Sequence, residues 1–149
     1  MTQPGTEARY AGDVTPKEAW ALLERDPKAQ LIDVRSFPEW NFVGVPDLSS
    51  LGRPVHRVEW QSFPAMAFNR DFTTTAAESL QSVGAGRESP VLLLCRSGAR
   101  SRSAAIALTE AGFARALNVA SGFEGDVDSA GHRGTLNGWK AAGLAWRQG

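Results

Sequence analysis

Apolar positions follow two different periods along this chain. The run Val91-Leu92-Leu93-Leu94-Cys95 is apolar at every position, as a strand buried on both faces of a parallel sheet must be. Residues 30–34 carry a shorter version in Leu31, Ile32 and Val34, with Asp33 and Arg35 at its end. Ala19, Trp20, Leu22 and Leu23 instead line one side of a helix. Its start is written in Thr15-Pro16-Lys17-Glu18: Thr15 caps, Pro16 suits the first helical position and Glu18 completes a capping box, while Asp26-Pro27 stops the helix. Further on, the pattern predicts a short helix at 38–42, a loop at 46–54, a strand at 55–60 and an irregular stretch at 61–70 rich in Phe and Met. A helix at 71–83 closes on Gly84-Ala85-Gly86. Another at 100–111 has Ala104, Ala105, Leu108 and Ala111 on a small-residue face and Gly112 at its end. Residues 117–119 suit one more short strand. A segment at 121–138 is dense in Gly, Asp and Ser, and 139–144 suits a last helical turn.

Strands and helices that alternate with short links predict an α/β fold, a central and mainly parallel sheet with helices on both faces. No internal repeat and no second domain are visible. The expected organisation is a flexible N-terminus at 1–10 and one domain at 11–149, long enough to bury a core without disulfide or metal support.

Charge and composition narrow the function classes. The 149 residues hold 16 Lys and Arg against 16 Asp and Glu, so no long-range field gathers nucleic acid or an anionic membrane, and neither partner is expected. One Cys rules out an intramolecular disulfide and a CxxC redox or zinc site. Two His are too few to suggest a metal cluster, and no metal or organic cofactor is expected. The N-terminal MTQPGTEARYAGDVT has no basic region followed by an apolar stretch, and the longest apolar runs are five residues, which predicts a soluble cytoplasmic protein.

The chemistry concentrates in Cys95-Arg96-Ser97-Gly98-Ala99-Arg100-Ser101. This segment puts a thiol at the carboxyl end of a parallel strand and at the amino end of a helix, where open α/β sheets bind ligands. The helix start offers unpaired N–H groups, and Gly98 lets the backbone turn tightly enough to aim several of them at one point. Such a cradle stabilises an anion on sulfur. A lone Cys closing an apolar run also suits a packing thiol. However, a loop holding Arg96, Arg100 and Arg102 with one Gly and flanking Ser is poor core filler and good anion-site material.

On these residues the chain resembles the single-domain rhodaneses, a family of sulfurtransferases. The resemblance rests on Leu31-Ile32-Asp33-Val34-Arg35 with Glu39-Trp40, on the strand and loop at 91–101, on Ser101-Arg102-Ser103-Ala104-Ala105, and on Asn118, Gly122 and Trp139. It implies a rhodanese-like three-layer domain and makes Cys95 the nucleophile of a six-residue loop, Cys95 through Arg100. By the same resemblance, the thiolate takes the outer sulfur of a small-molecule donor such as thiosulfate and holds it as a persulfide bonded by loop N–H groups. A thiol, cyanide or a protein sulfur acceptor then removes it. This is double-displacement covalent catalysis with no cofactor. Arg96 either faces the pocket or is a solvated surface charge, and Arg100 braces the loop. The family precedent makes Asp33 and Arg35 a structural charge pair with Glu39 in the same network, and leaves His56 and His132 structural or solvated.

The family's frequent Gly-His-Ile-Pro-Gly-Ala is missing; this chain has Gly44-Val45-Pro46-Asp47. Two segments, 60–72 with Phe63, Met66, Phe68 and Phe72, and 121–139, are placed to border the active loop. The first is either core or, if exposed beside the thiol, a pocket for a larger or less polar donor. Asp126-Val127-Asp128 lacks the spaced ligands of a calcium loop. A phosphatase or arsenate reductase using a cysteine thiolate is the rival enzyme class. Its Arg usually stands six positions after the Cys, where this chain has Ser101. A non-catalytic binding or sulfur-relay module is the third reading: the complete Cys95 loop favours activity, and a persulfide relay to a partner protein is compatible with the same chemistry.

Overall fold

Thr15 caps α1 (Pro16–Arg25) as its sequence dictates. Its hydroxyl accepts from Glu18 N–H at 3.1 Å, and the Glu18 carboxylate accepts from Thr15 N–H at 2.8 Å. In this computed structural model, which describes residues 9–148, α1 follows a strand β1 (Gly12–Val14) that the apolar pattern did not announce. Then come β2 (Gln30–Asp33), α2 (Phe37–Phe42), β3 (Val45–Pro46), a single 3-10 turn at Ser49–Leu51 and β4 (Val55–Arg57). The hairpin β5 (Gln61–Ser62) and β6 (Ala67–Phe68) leads to α3 (Phe72–Gln81), β7 (Val91–Leu94), α4 (Ala99–Glu110), β8 (Ala116–Val119) and β9 (Trp146–Arg147).

Five strands form one sheet in the order β1-β8-β7-β2-β4, and every neighbouring pair is parallel. Alternate side chains feed two cores. Leu31, Leu92, Leu94 and Val119 pack with Ala19, Leu22 and Leu23 of α1 and with Leu48, Phe123 and Trp139. Ile32, Val91, Leu93 and Ala116 pack on the opposite face with Phe72, Ala76 and Leu80 of α3 and with Ala104, Ala105 and Leu108 of α4. The result is the expected layered α/β arrangement. Each fully buried Leu in it contributes on the order of 2 kcal/mol. Because the strands are parallel, the segments after β2, β4, β7 and β8 meet at one edge of the sheet, the usual ligand edge of such folds.

Four details depart from the sequence reading. The strand expected at 55–60 ends at Arg57, although Val58 and Trp60 still donate to the carbonyls of Asp33 and Val34 at 3.1 Å each. It is an edge strand, so nothing on its far side enforces regularity. The stretch expected to be irregular at 61–70 contains the β5–β6 hairpin. The helical turn expected at 139–144 is present as a single α-turn, Ala142 N–H to Gly138 O at 3.0 Å, cut short by Gly143 at φ +76°. Beyond it β9 pairs antiparallel with β3. Residues 1–8 of the expected flexible N-terminus lie outside the described residues. Arg9 and Tyr10 bond the side chains of Glu110 and Asp13. Among the described residues no helix is long and apolar enough to cross a membrane.

Candidate active site

β7 delivers Cys95 to the ligand edge of the sheet, and Gly98 turns the chain into α4. Gly98 has φ +118°, a conformation open to glycine and strained for other residues. The turn brings its N–H onto Cys95 Sγ, to which it donates at 3.1 Å. Ala99, Arg100 and Ser101 are the first helical residues, whose N–H groups have no acceptor within the helix. With the partial positive charge of the helix start, they favour negative charge beside the sulfur. Cys95 is 1% exposed and faces a cavity of about 380 Å³. Arg96, Ser97, Ala99 and Arg100 line it from the loop, Glu39 from α2, and Gln61 and Met66 from the β5–β6 hairpin.

The arginine that ends the loop is committed. Arg100 donates from both terminal nitrogens to Glu39, Nη1 to Oε1 at 2.7 Å and Nη2 to Oε2 at 2.9 Å. Glu39 is the third residue of α2, so its carboxylate turns back to the helix start and also accepts from Ser36 N–H at 3.0 Å and Ser36 Oγ–H at 2.8 Å. Burial pushes the Glu39 carboxyl up, but the bonds from Arg100 and Ser36 outweigh it and hold the group at about 2. The same hydrogen bonds raise the Arg100 guanidinium above its ordinary value.

This corrects the expectation that Glu39 shares the Asp33 and Arg35 network. Those two pair with each other: Arg35 Nε donates to Asp33 Oδ1 at 2.9 Å and Nη2 to Oδ2 at 2.6 Å, with both side chains fully buried. Arg35 Nη2 also donates to Gly44 O at 2.7 Å, and the guanidinium lies 4.3 Å over the Phe123 ring. The bonds to Ser36 and Arg100 instead tie Glu39 to the start of α4.

Behind the thiol runs a chain of hydrogen bonds that sequence spacing did not disclose. Ser101 Oγ lies 2.6 Å from Asn118 Oδ1 and 3.2 Å from Cys95 Sγ. Asn118 Nδ2 donates to Asp13 Oδ1 at 3.0 Å, which also accepts from Tyr10 O–H at 2.9 Å. That bond fixes which way the Asn118 amide points, so its Oδ1 takes the single Ser101 proton at the shorter distance. An Oγ lone pair is left towards sulfur. In the sequence Asn118 stands out only through the family resemblance; its contact with Asp13 crosses 105 residues of chain and carries no local signal.

The segment after β8 supports the loop from behind. Phe123 N–H donates to Cys95 O at 2.8 Å, and Glu124 and Gly125 N–H donate to Arg96 O at 3.0 and 3.2 Å. Gly122 at φ +65° comes so close that a Cβ would stand 2.5 Å from Cys95 O. Of the remaining candidates, Arg96 is exposed and lines the cavity, and Ser97 lines it half-buried. His56 is far from this chemistry in its contacts: Nε2–H donates to Gln30 Oε1 at 2.9 Å, while Ser79 O–H reaches Nδ1 at 2.6 Å. The segment at 60–72 divides. Phe72 is core at 1% exposure, whereas Phe63, Met66 and Phe68 are exposed and Met66 reaches the cavity.

Comparison with known proteins agrees with this fold. The protein Rv0390 from M. tuberculosis has a crystal structure that superposes with a TM-score of 0.81 at 51% identity, covering 94% of this chain and 99% of that one. An uncharacterized protein of Rickettsia conorii, RC0915, is 30% identical over 135 residues, 91% of this chain and 96% of its own length. The 30 kDa polysulfide-sulfur transferase homodimer from Wolinella succinogenes shares the fold at a TM-score of 0.57 and 24% identity, covering 97% of this chain and 83% of that one. The Rhodanese-like domain family matches residues 15–128, the whole span from the α1 cap past the support segment. The chain therefore belongs to the rhodanese-like domain family.

Proposed function

We propose that this protein is a sulfurtransferase that carries sulfane sulfur as a persulfide on Cys95. The observation that carries the reading is the thiol itself: its sulfur faces a cavity, accepts from Gly98 N–H at 3.1 Å and stands at the first turn of α4. The Cys95 thiolate attacks the outer sulfur of a sulfane donor, of which thiosulfate is the simplest. A sulfur–sulfur bond forms to Cys95, the donor's own bond breaks with its electron pair, and sulfite leaves. The persulfide's terminal sulfur carries the negative charge, and the unpaired N–H groups of the loop and helix start hold it. Cyanide or a thiolate then attacks that terminal sulfur, leaving as thiocyanate or a new persulfide and restoring the Cys95 thiolate. A protein thiol can serve as the acceptor by the same step.

The family membership supports this reading, as does the activity named for the Wolinella succinogenes neighbour. The phosphatase alternative expects an arginine six positions after the cysteine, where this chain has Ser101, and Arg100, at five, is paired with Glu39. The test is intact mass after incubation with thiosulfate. The wild-type chain is expected to gain one sulfur atom and lose it to cyanide, while Cys95→Ser gains none. No gain on the reduced wild type with thiosulfate or another sulfane donor would overturn the reading.

A further inference from the structure

β4 is the last strand of the sheet, and no strand pairs with its outer side. Its register with β2 sets Ile32 beside His56, and Val58 N–H donates to Asp33 O at 3.1 Å. His56 and Val58 therefore turn their peptide groups towards β2, which leaves the N–H and C=O groups of Val55 and Arg57 facing outward. Such an edge accepts a further strand unless something blunts it. The β4 side chains say what fits there. His56 lies on the face of α3, where it bonds Ser79, while Val55 packs on the α1 face, and the two-residue period puts Arg57 on that face too. There a groove of about 270 Å³ opens between β4 and the β3–β9 ribbon, with Val45 and Leu48 as buried apolar lining. Three arginines border it. Arg53 is committed, its terminal nitrogens donating to the carbonyls of Leu23, Asp26 and Ala29. Arg57 and Arg147 are exposed and form no ion pair among the described residues. The one carboxylate lining the groove, Asp47, is turned onto Ser49 N–H at 2.9 Å. Unpaired backbone and unpaired positive charge thus lie side by side. A second copy of this edge would set arginines against arginines, so the occupant is of opposite charge.

We propose that the outer edge of β4 and this groove dock an acidic, extended segment of a partner protein, which adds to the sheet as an antiparallel strand. Its backbone bonds the outward N–H and C=O groups of Val55 and Arg57. Directly opposed residues of an antiparallel pair place their side chains on one face, so alternate side chains of the segment lie over the groove. Carboxylates at those positions meet Arg57 and Arg147. Docking here shares no lining residue with the Cys95 cavity and leaves it open.

The experiment follows the fluorescence anisotropy of a labelled peptide, Glu-Val-Glu-Val-Glu-Val, titrated with the full chain. The peptide is expected to bind. Arg57→Ala and Arg147→Ala should each weaken it about threefold and the double variant about tenfold, as fits exposed charge pairs, and added salt should weaken it further. Both arginines are exposed, so the variants keep the fold, which equal melting temperatures check. Two further peptides of the same charge separate strand pairing from attraction alone. In an antiparallel strand with its carboxylates over the groove, the Glu amides face β4 and the Val amides face away. N-methylation of the Glu amides should abolish binding, and N-methylation of the Val amides should leave it within about twofold. No anisotropy change with up to about 1 mM protein overturns the inference. Equal loss from both methylated peptides, or wild-type affinity in the double variant, overturns it as well.

Discussion

The Arg35–Asp33 pair is sealed in the protein with neither side chain exposed, whereas the Arg100–Glu39 pair leaves 19% of each side chain open at the edge of the thiol cavity. Both are bidentate, one at the end of β2 and the other between α2 and α4. Their surroundings make them different devices. The sealed pair has lost its water entirely, so its charges rely on one another, on Gly44 O and on the Phe123 ring. Even so, Arg35 Nη1 finds no partner among the described residues. Such a pair adds little net stability over an apolar replacement, yet breaking it strands a buried charge. The open pair keeps part of its hydration, so its loss costs the fold less. What it holds is the position of α4's first turn, and with it the N–H groups around Cys95. One pair fixes the frame and the other aims the chemistry.

The largest effect should come from opening the sealed pair. Arg35→Met is expected to cost about 3–5 kcal/mol in denaturant unfolding, and Asp33→Leu combined with Arg35→Met should recover most of it. A single-variant loss near that of an exposed pair would erase the contrast.

Glu39→Gln tests the other side. It should lower stability by only about 1–2 kcal/mol, yet slow persulfide formation about tenfold by loosening the loop, read as the rate of mass gain with thiosulfate. An unchanged rate would reduce the open pair to a surface contact.

Acid sharpens the contrast further. Because Glu39 sits at about 2 in the folded chain against an ordinary 4.5, the stability it contributes is complete above 4.5 and is lost as pH falls from there through about 2. The open pair therefore stays constant across the neutral range.

The smallest effect belongs to His56, which burial pushes below its ordinary 6.5. The unfolded chain takes up its proton more readily than the folded one, so the stability from neutral His56 is complete above 6.5 and declines below it. The slope is at most about 1.4 kcal/mol per pH unit. Melting temperatures of His56→Gln should be flatter than wild type between about pH 7 and pH 5, with the decline below 4.5 unchanged. Parallel profiles would remove His56 as the source.

Much of this could be seen before folding was considered. The Thr15 cap, the α1 stop at Asp26, the all-apolar β7 and the Gly98 turn each depend on residues within a few positions of one another. β1 escaped notice because Gly12, Asp13 and Val14 show no apolar alternation; the strand exists because β8 offers it an edge. Met66 belongs to an aromatic and Met cluster of a kind that is usually core, and it instead lines the cavity, since composition does not say which side of a hairpin meets the interior.

By itself the amino-acid sequence determined the α/β alternation, the position of the Cys95 loop and its resemblance to a sulfurtransferase family. These are local signals, set by backbone propensity, capping chemistry and the order of residues around Cys95. Only the tertiary structure decided that Glu39 serves Arg100 across 61 residues, that Asp13 reaches Asn118 across 105, and that Met66 overlooks the thiol. A carboxylate can satisfy any arginine that packing brings within about 3 Å, and that distance is set by how the layers close around the sheet.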